Sequence, residues 1–291
     1  MSKFNNALKF FVSFLLMFAL IAMQLSFFVS FKVLNGEFYK NALNKNNYYS
    51  LMRKDIDYGF KNLSLITSIP AEIFEASVSN DDIIKLSNKN ISSAEIYMNN
   101  TNKYIDSKID TTLISDNLQT YVKKNNITVD ENLKNQLLAV TNDAGNIINN
   151  YAILFNINAV DKYPQFQSLR RLLYLINNIK IVSAIAVLLL IALLVFLNKK
   201  ALLKMLLWIG SSFIPAGMIT LIPSILALYY NVPNRFAINS AYLKVALRDI
   251  SLGYINYFML AGVAVLLIGI CCMCTYSYLT NKEYTVCENN N

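Results

Sequence analysis

IVSAIAVLLLIALLVFL, running from Ile181 to Leu197, decides the fold class. Apart from Ser183 and Phe196 it contains only Ile, Val, Ala and Leu, and Lys199 and Lys200 stop it. A helix of about 17 to 25 such residues crosses the hydrocarbon of a bilayer. Three more segments have the same character. Phe10 to Phe31 carries no ionisable residue and follows Lys3 and Lys9. It starts like a signal peptide, but its apolar part is too long and no A-x-A site follows, so an uncleaved anchor is expected. Met205 to Tyr230 contains Pro215 and Pro223 among glycines and hydroxyls. The prolines remove backbone donors and predict a kinked helix, while the small residues suit close packing. Leu252 to Tyr278 carries Gly262 and Gly269 seven apart, hence on one face, with Tyr254, Tyr257, Tyr276 and Tyr278 near its ends as an aromatic belt.

The charges agree with this reading. The formal net charge is +8, yet between Asn35 and Arg170 there are fifteen acids against fourteen bases. The surplus flanks the apolar runs, at Lys3, Lys9, Lys32, Lys180, Lys199, Lys200, Lys204, Arg235, Lys244 and Arg248. Bases there reach phosphate headgroups, so membrane lipid is the expected partner and nucleic acid is not.

The expected architecture is all-α: an integral membrane four-helix bundle with an all-helical extramembrane domain between the first and second spans. Residues 1–34 form the N-terminal tail and first span, 35–179 a helical extracytoplasmic domain, and 180–291 the other three spans and a short C-terminal tail. The bases before the first span favour cytoplasmic termini and an external 35–179, although the loop from Asn231 to Ile250 carries three bases on the opposite side. Within 35–179, Thr128-Val129-Asp130-Glu131 predicts a capping box with Thr128 as the cap. Leu133, Leu137, Val140, Ala144, Ile147, Tyr151 and Leu154 follow as one apolar stripe, expected in a bundle core. Pro70 and the run Ser79 to Asp82 predict further helix starts. Pro164 starts one expected to continue through Asn177-Asn178 into the second span. Residues Ile238 to Ile250 read as an amphipathic helix lying on the bilayer, with Leu243, Leu247 and Ile250 on one side and Lys244 and Arg248 on another.

The chemistry is mostly exclusion. With no histidine in the chain, Ser-His-Asp and Cys-His catalysis and histidine-ligated metals are ruled out. No glycine-rich phosphate loop is present. Asp55-x-Asp57 is a formal carboxylate pair, but its members point to different helix faces beside Arg53 and Lys54, which reads as solvated surface. Cys271 and Cys274 sit inside an apolar helix, without the second pair a zinc site needs. Sequons at Asn62, Asn90, Asn99 and Asn126 follow from an asparagine-rich composition. No catalytic, cofactor-binding or metal residue is expected, and no enzyme. The spans carry no charge at depth, unlike those of ion-coupled transporters.

The stretches Glu37-Phe38-Tyr39, Asn47-Tyr48-Tyr49 and Ser68-Ile69-Pro70-Ala71-Glu72 resemble those of uncharacterised four-span membrane proteins of A/T-rich bacteria, a resemblance that brings no function. In layout alone the chain is similar to FtsX/MacB-type ABC-transporter permease subunits, which implies a separate ATPase. The short Asn198–Lys204 turn departs from that pattern, offering an ATPase little surface. The expected function is therefore that of a non-enzymatic membrane protein whose helical domain, 35–179, binds a protein partner or senses the envelope. The alternative is a transport subunit working with a separate ATPase. No feature sets an oligomeric state.

Overall fold

The computed structural model describes residues 2–99, 107–154, 157–199 and 201–288. Every regular element among them is helical: α1 (Ser2–Phe28), a π-helical turn (Val29–Val33), α2 (Gly36–Asn44), α3 (Tyr48–Thr67), α4 (Ala71–Glu75), α5 (Asn80–Asn99), α6 (Thr112–Lys124), α7 (Glu131–Ala152), α8 (Ile157–Val160), α9 (Pro164–Leu197), α10 (Leu203–Tyr229), a 3-10 turn (Val232–Asn234) and α11 (Ala241–Glu288). Lys200 lies outside the described residues, as do the side chains of Lys3 and Cys287.

Among the described residues four helices are long and apolar enough to cross a membrane: Asn5–Val33, Pro164–Leu197, Leu203–Tyr229 and Ala241–Asn281. The chain divides into two compact units. The first is built from residues 1–33, 169–235 and 251–291, the second from 34–168 and 236–250.

In the first unit α1 packs on α10 through Val12, Leu16 and Leu20 against Ile209, Phe213 and Ala216. A cluster of hydroxyls lies in that seam. Ser13 Oγ is 2.7 Å from Ser212 Oγ, and Ser212 Oγ donates to the Ser13 carbonyl at 2.8 Å. These pairs satisfy polar groups that lipid could not. Helix α10 runs unbroken through Pro215 and Pro223, and the hydroxyls of Thr220 and Ser224 turn back onto the Gly217 and Thr220 carbonyls. Against α11 the helices meet at backbone distance. A Cβ added at Gly217 would lie 2.7 Å from Leu266 N and 2.8 Å from the Gly262 carbonyl oxygen. One added at Gly269 would lie 2.9 Å from Ile214 N. The expected contact stripe at Gly262 and Gly269 is thus matched by a second glycine pair, Gly210 and Gly217, also seven apart on α10.

The second unit is organised by α3. Tyr48, Met52, Ile56, Phe60 and Leu63 recur at steps of four and three, and all are buried. Around them close Phe74, Ile83, Ile114, Leu118, Ala144 and Ile148. Arg53 ties α3 to the end of α4: its Nε donates to Asp57 Oδ1 at 2.7 Å and its guanidinium also donates to the Glu75 and Val78 carbonyls.

Three sequence expectations need correction here. The stripe on α7 is rotated: the most buried positions are Thr141, Ala144, Gly145, Ile148 and Ala152, while Leu137, Val140, Ile147, Tyr151 and Leu154 flank them. Second, Asp130, not Thr128, caps α7, accepting from Leu133 N at 2.7 Å. The reciprocal capping box is found instead at Ser79 and Asp82, where each residue's side chain accepts from the other's backbone N–H. The Ser79 hydroxyl, donating to Asp82 Oδ2 at 2.6 Å, and then the Ser79 backbone N–H hold the Asp82 carboxyl below the usual aspartate range. We expect Ser79→Ala to cost about 1 kcal/mol and to speed amide exchange in the first turn of α5, read by hydrogen-exchange mass spectrometry.

The third correction concerns Ile238 to Ile250. Residues from Ala241 onward are not a separate interfacial helix but the first turns of α11, and their apolar face is covered by protein. Tyr242 and Ala246 belong to the core of the second unit. The Tyr242 ring meets Tyr48 edge-on at 5.6 Å and Tyr151 at 6.0 Å, and Asn46 Nδ2 donates to Asp249 Oδ2. The expected continuous helix from Pro164 is present: α9 passes through Asn177-Asn178 without a break.

Candidate functional site

The residues with formal chemical potential are dispersed. Asp57 is held by Arg53, as above, and Asp55 has no part in that contact, so the D-x-D pair does not converge. Asp82 serves the capping box. Cys271 and Cys274 are free thiols exposed on α11. Among the described residues no three acids or cysteines are placed to hold a metal ion. Two of the sequons are structural: Asn90 is buried and accepts from Ser107 N at 2.9 Å, and Asn99 Nδ2 donates to the Leu34 carbonyl at 2.9 Å.

A concave surface does form in the second unit, between α6 and the start of α7. It encloses about 420 Å³ and has an apolar floor of Leu118, Val122, Leu137 and Leu138, with Gln119, Lys123 and Lys134 around it. Volumes of this order are typical of binding clefts. The cause lies in the local sequence. Helix α6 ends at Lys124, and Asn126, at φ 52°, turns the chain in the left-handed conformation that asparagine tolerates better than most residues. The chain then returns to α7 at Asp130. Beside the groove, and off the α7 stripe, Val129 just before the helix is 55% exposed and Leu138 on its outer side 61%. Sequence periodicity identified the stripe, but not the exposed apolar residues beside it.

A second feature is a group of tyrosines, Tyr48, Tyr49, Tyr151 and Tyr242. Tyr48 is 1% exposed and its hydroxyl has no hydrogen-bond partner. Burial pushes the Tyr48 phenol well above the ordinary tyrosine range, with Tyr242 and Tyr49 adding to the effect. A buried unpaired hydroxyl costs about 1–3 kcal/mol. Tyr48→Phe is therefore expected to raise the stability of the second unit, by about 1 kcal/mol, in a thermal denaturation comparison with the parent chain. This group is a core element with a polar fault, with no nucleophile–base pair attached.

In the first unit Gln24 is the comparable case: 4% exposed, its amide unpaired. Its backbone carbonyl accepts from Tyr257 Oη at 3.2 Å. No family model, curated protein or solved structure matches the chain.

Proposed function

We propose that the chain is a non-enzymatic protein of the cell membrane, with both termini cytoplasmic, whose second unit lies outside and binds a protein partner in the groove between α6 and α7. The exposed apolar residues that line this groove are the observation that carries this reading. Apolar side chains at Val129 and Leu138 stand in water beside a cleft, and large exposed apolar surfaces in folded proteins mark contact sites. Lys123 and Lys134 supply a polar rim of the kind that surrounds interface cores.

Support for the membrane topology comes from the second unit itself. The segments 34–168 and 236–250 share one core, so the chain between them, which holds α9 beyond Leu169 and all of α10, crosses the bilayer an even number of times. That favours two crossings there and four in all.

The test is a photo-crosslinking amino acid placed at Leu138 in cells, with Lys124, an exposed residue outside the groove lining, as control. A discrete adduct at Leu138, absent at Lys124 and lost when Leu137 is replaced by Asp, is expected. Equal labelling at both positions, or none at Leu138, contradicts the proposal.

A further inference from the structure

We propose that the occupant of the α6–α7 groove is an amphipathic helix with acidic residues at one end, docking there as a third helix. The inference rests on the groove reading above and gives the partner its chemistry.

The spacing of the lining residues is the first ground. Helix α6 brings Ser115, Leu118, Gln119 and Val122 to the groove. Helix α7, packed beside it, brings Lys134, Leu137, Leu138 and Thr141. Both sets are spaced i, i+3, i+4 and i+7, so each is one face of a helix over two turns. Two such faces side by side are complementary to a third helix whose anchors repeat at the same interval. An extended peptide is a poorer match. Its backbone N–H and C=O groups need the edge of a strand, and every regular element among the described residues is helical.

Charge is the second ground. The lining holds two bases, Lys123 and Lys134, and no acid. The acids of α6, α7 and the turn between them, Asp116, Asp130, Glu131 and Asp143, all lie outside it, and Asp130 is committed to the α7 cap. Lys123 is in the last turn of α6 and Lys134 near the start of α7, so both stand at the end of the groove beside the turn. Ser115 and Thr141 mark the other end and are uncharged. Both lysines are exposed, and among the described residues neither has a carboxylate partner. Carboxylates at one end of the incoming helix complement this pair and set the direction in which the helix docks.

For the test, the full chain carries a photo-crosslinking amino acid at Leu138 and is reconstituted in nanodiscs of phosphatidylcholine, a lipid without net charge. Three synthetic peptides serve as probes. The first has leucines at i, i+3, i+4 and i+7 with glutamates at one end. The second has lysines in place of the glutamates, and the third is the acidic peptide with a proline at its centre. The acidic helix is expected to be captured several-fold better than either of the others, and its capture to fall as salt is raised. Lys123→Glu combined with Lys134→Glu is expected to turn the preference toward the basic peptide, in a variant whose circular-dichroism melt matches the parent's. Equal capture of the acidic and basic peptides, or a preference unchanged by the double variant, overturns the acidic partner. Equal capture of the proline peptide overturns the helix, and capture of none overturns the inference altogether. The groove reading is judged separately, by the adduct at Leu138 in cells, which depends on none of these peptides.

Discussion

Gly217→Leu is expected to prevent the first unit from folding, at a cost above about 3 kcal/mol. The reason is that the atoms an added side chain would meet are backbone. Leu266 N and the Gly262 carbonyl oxygen both stand within 3 Å of where its Cβ would be, and neither can rotate away. Relief requires α10 and α11 to separate along their length, which also opens the contacts at Gly210 and Gly269. In lipid, where no water is expelled on helix association, such close backbone packing is a main source of cohesion. Leu260→Ala on the same α11 provides the contrast: Leu260 is 69% exposed, and its loss removes little protein contact. Size-exclusion profiles in detergent after a thermal ramp separate the two, with early aggregation for Gly217→Leu and parent-like behaviour for Leu260→Ala.

The second large effect lies in the other unit. Phe60 is fully buried at the middle of the α3 stripe and stacks on Phe74 at 5.8 Å between centroids. Phe60→Ala leaves a cavity between α3 and α4 and is expected to cost about 3–5 kcal/mol. Leu65 and Ile66, on the same helix, are 83% and 82% exposed, and Ala at either is expected to change stability by less than about 0.5 kcal/mol. Hydrogen exchange over residues 34–168 reads the difference. Rapid exchange throughout this stretch is expected for Phe60→Ala, and a parent-like pattern for the two surface variants.

What was legible in the sequence follows from how strong each signal is against its alternatives. The apolar runs have few competing readings: a stretch such as Ile181–Leu197 has no polar face to keep in water, so its length alone points to a span. The helix starts at Pro164 and Ser79 were equally plain. Ile238 to Ile250 failed because amphipathicity says only that one side avoids water. A bilayer surface and a protein core satisfy it alike, and only the tertiary fold brings Tyr48 and Tyr151 to Tyr242. The phase of α7 was misread for a related reason. Thr141 and Gly145 sit on the buried face because small size matters there, with Thr141 Oγ1 returning its hydrogen bond to the Leu137 carbonyl at 2.8 Å. A pattern search that scores only large apolar residues passes over both. The α3 stripe was present as a spacing of four from Tyr48 to Phe60, and a count of apolar matches along that window would have found it. The groove could not be found this way, since it depends on how α6 and the start of α7 pack, which a pattern within either helix does not carry. The glycine pair on α10 carried a signal, its seven-residue spacing, but that spacing gained meaning only beside the matching pair on α11.

The connector between the third and fourth spans, packed into the core of the domain that follows the first, supports the proposed parity of crossings. Cross-linking tests this directly. Asn46 and Asp249 are replaced together by cysteine in a chain whose native cysteines are alanine, and isolated membranes are mildly oxidised. Rapid disulfide formation, seen as a mobility shift reversed by reductant, is the expected result. A chain that stays open under oxidation, while an impermeant thiol reagent labels position 46 from one side of the membrane and position 249 only from the other, would contradict the shared core and the topology derived from it.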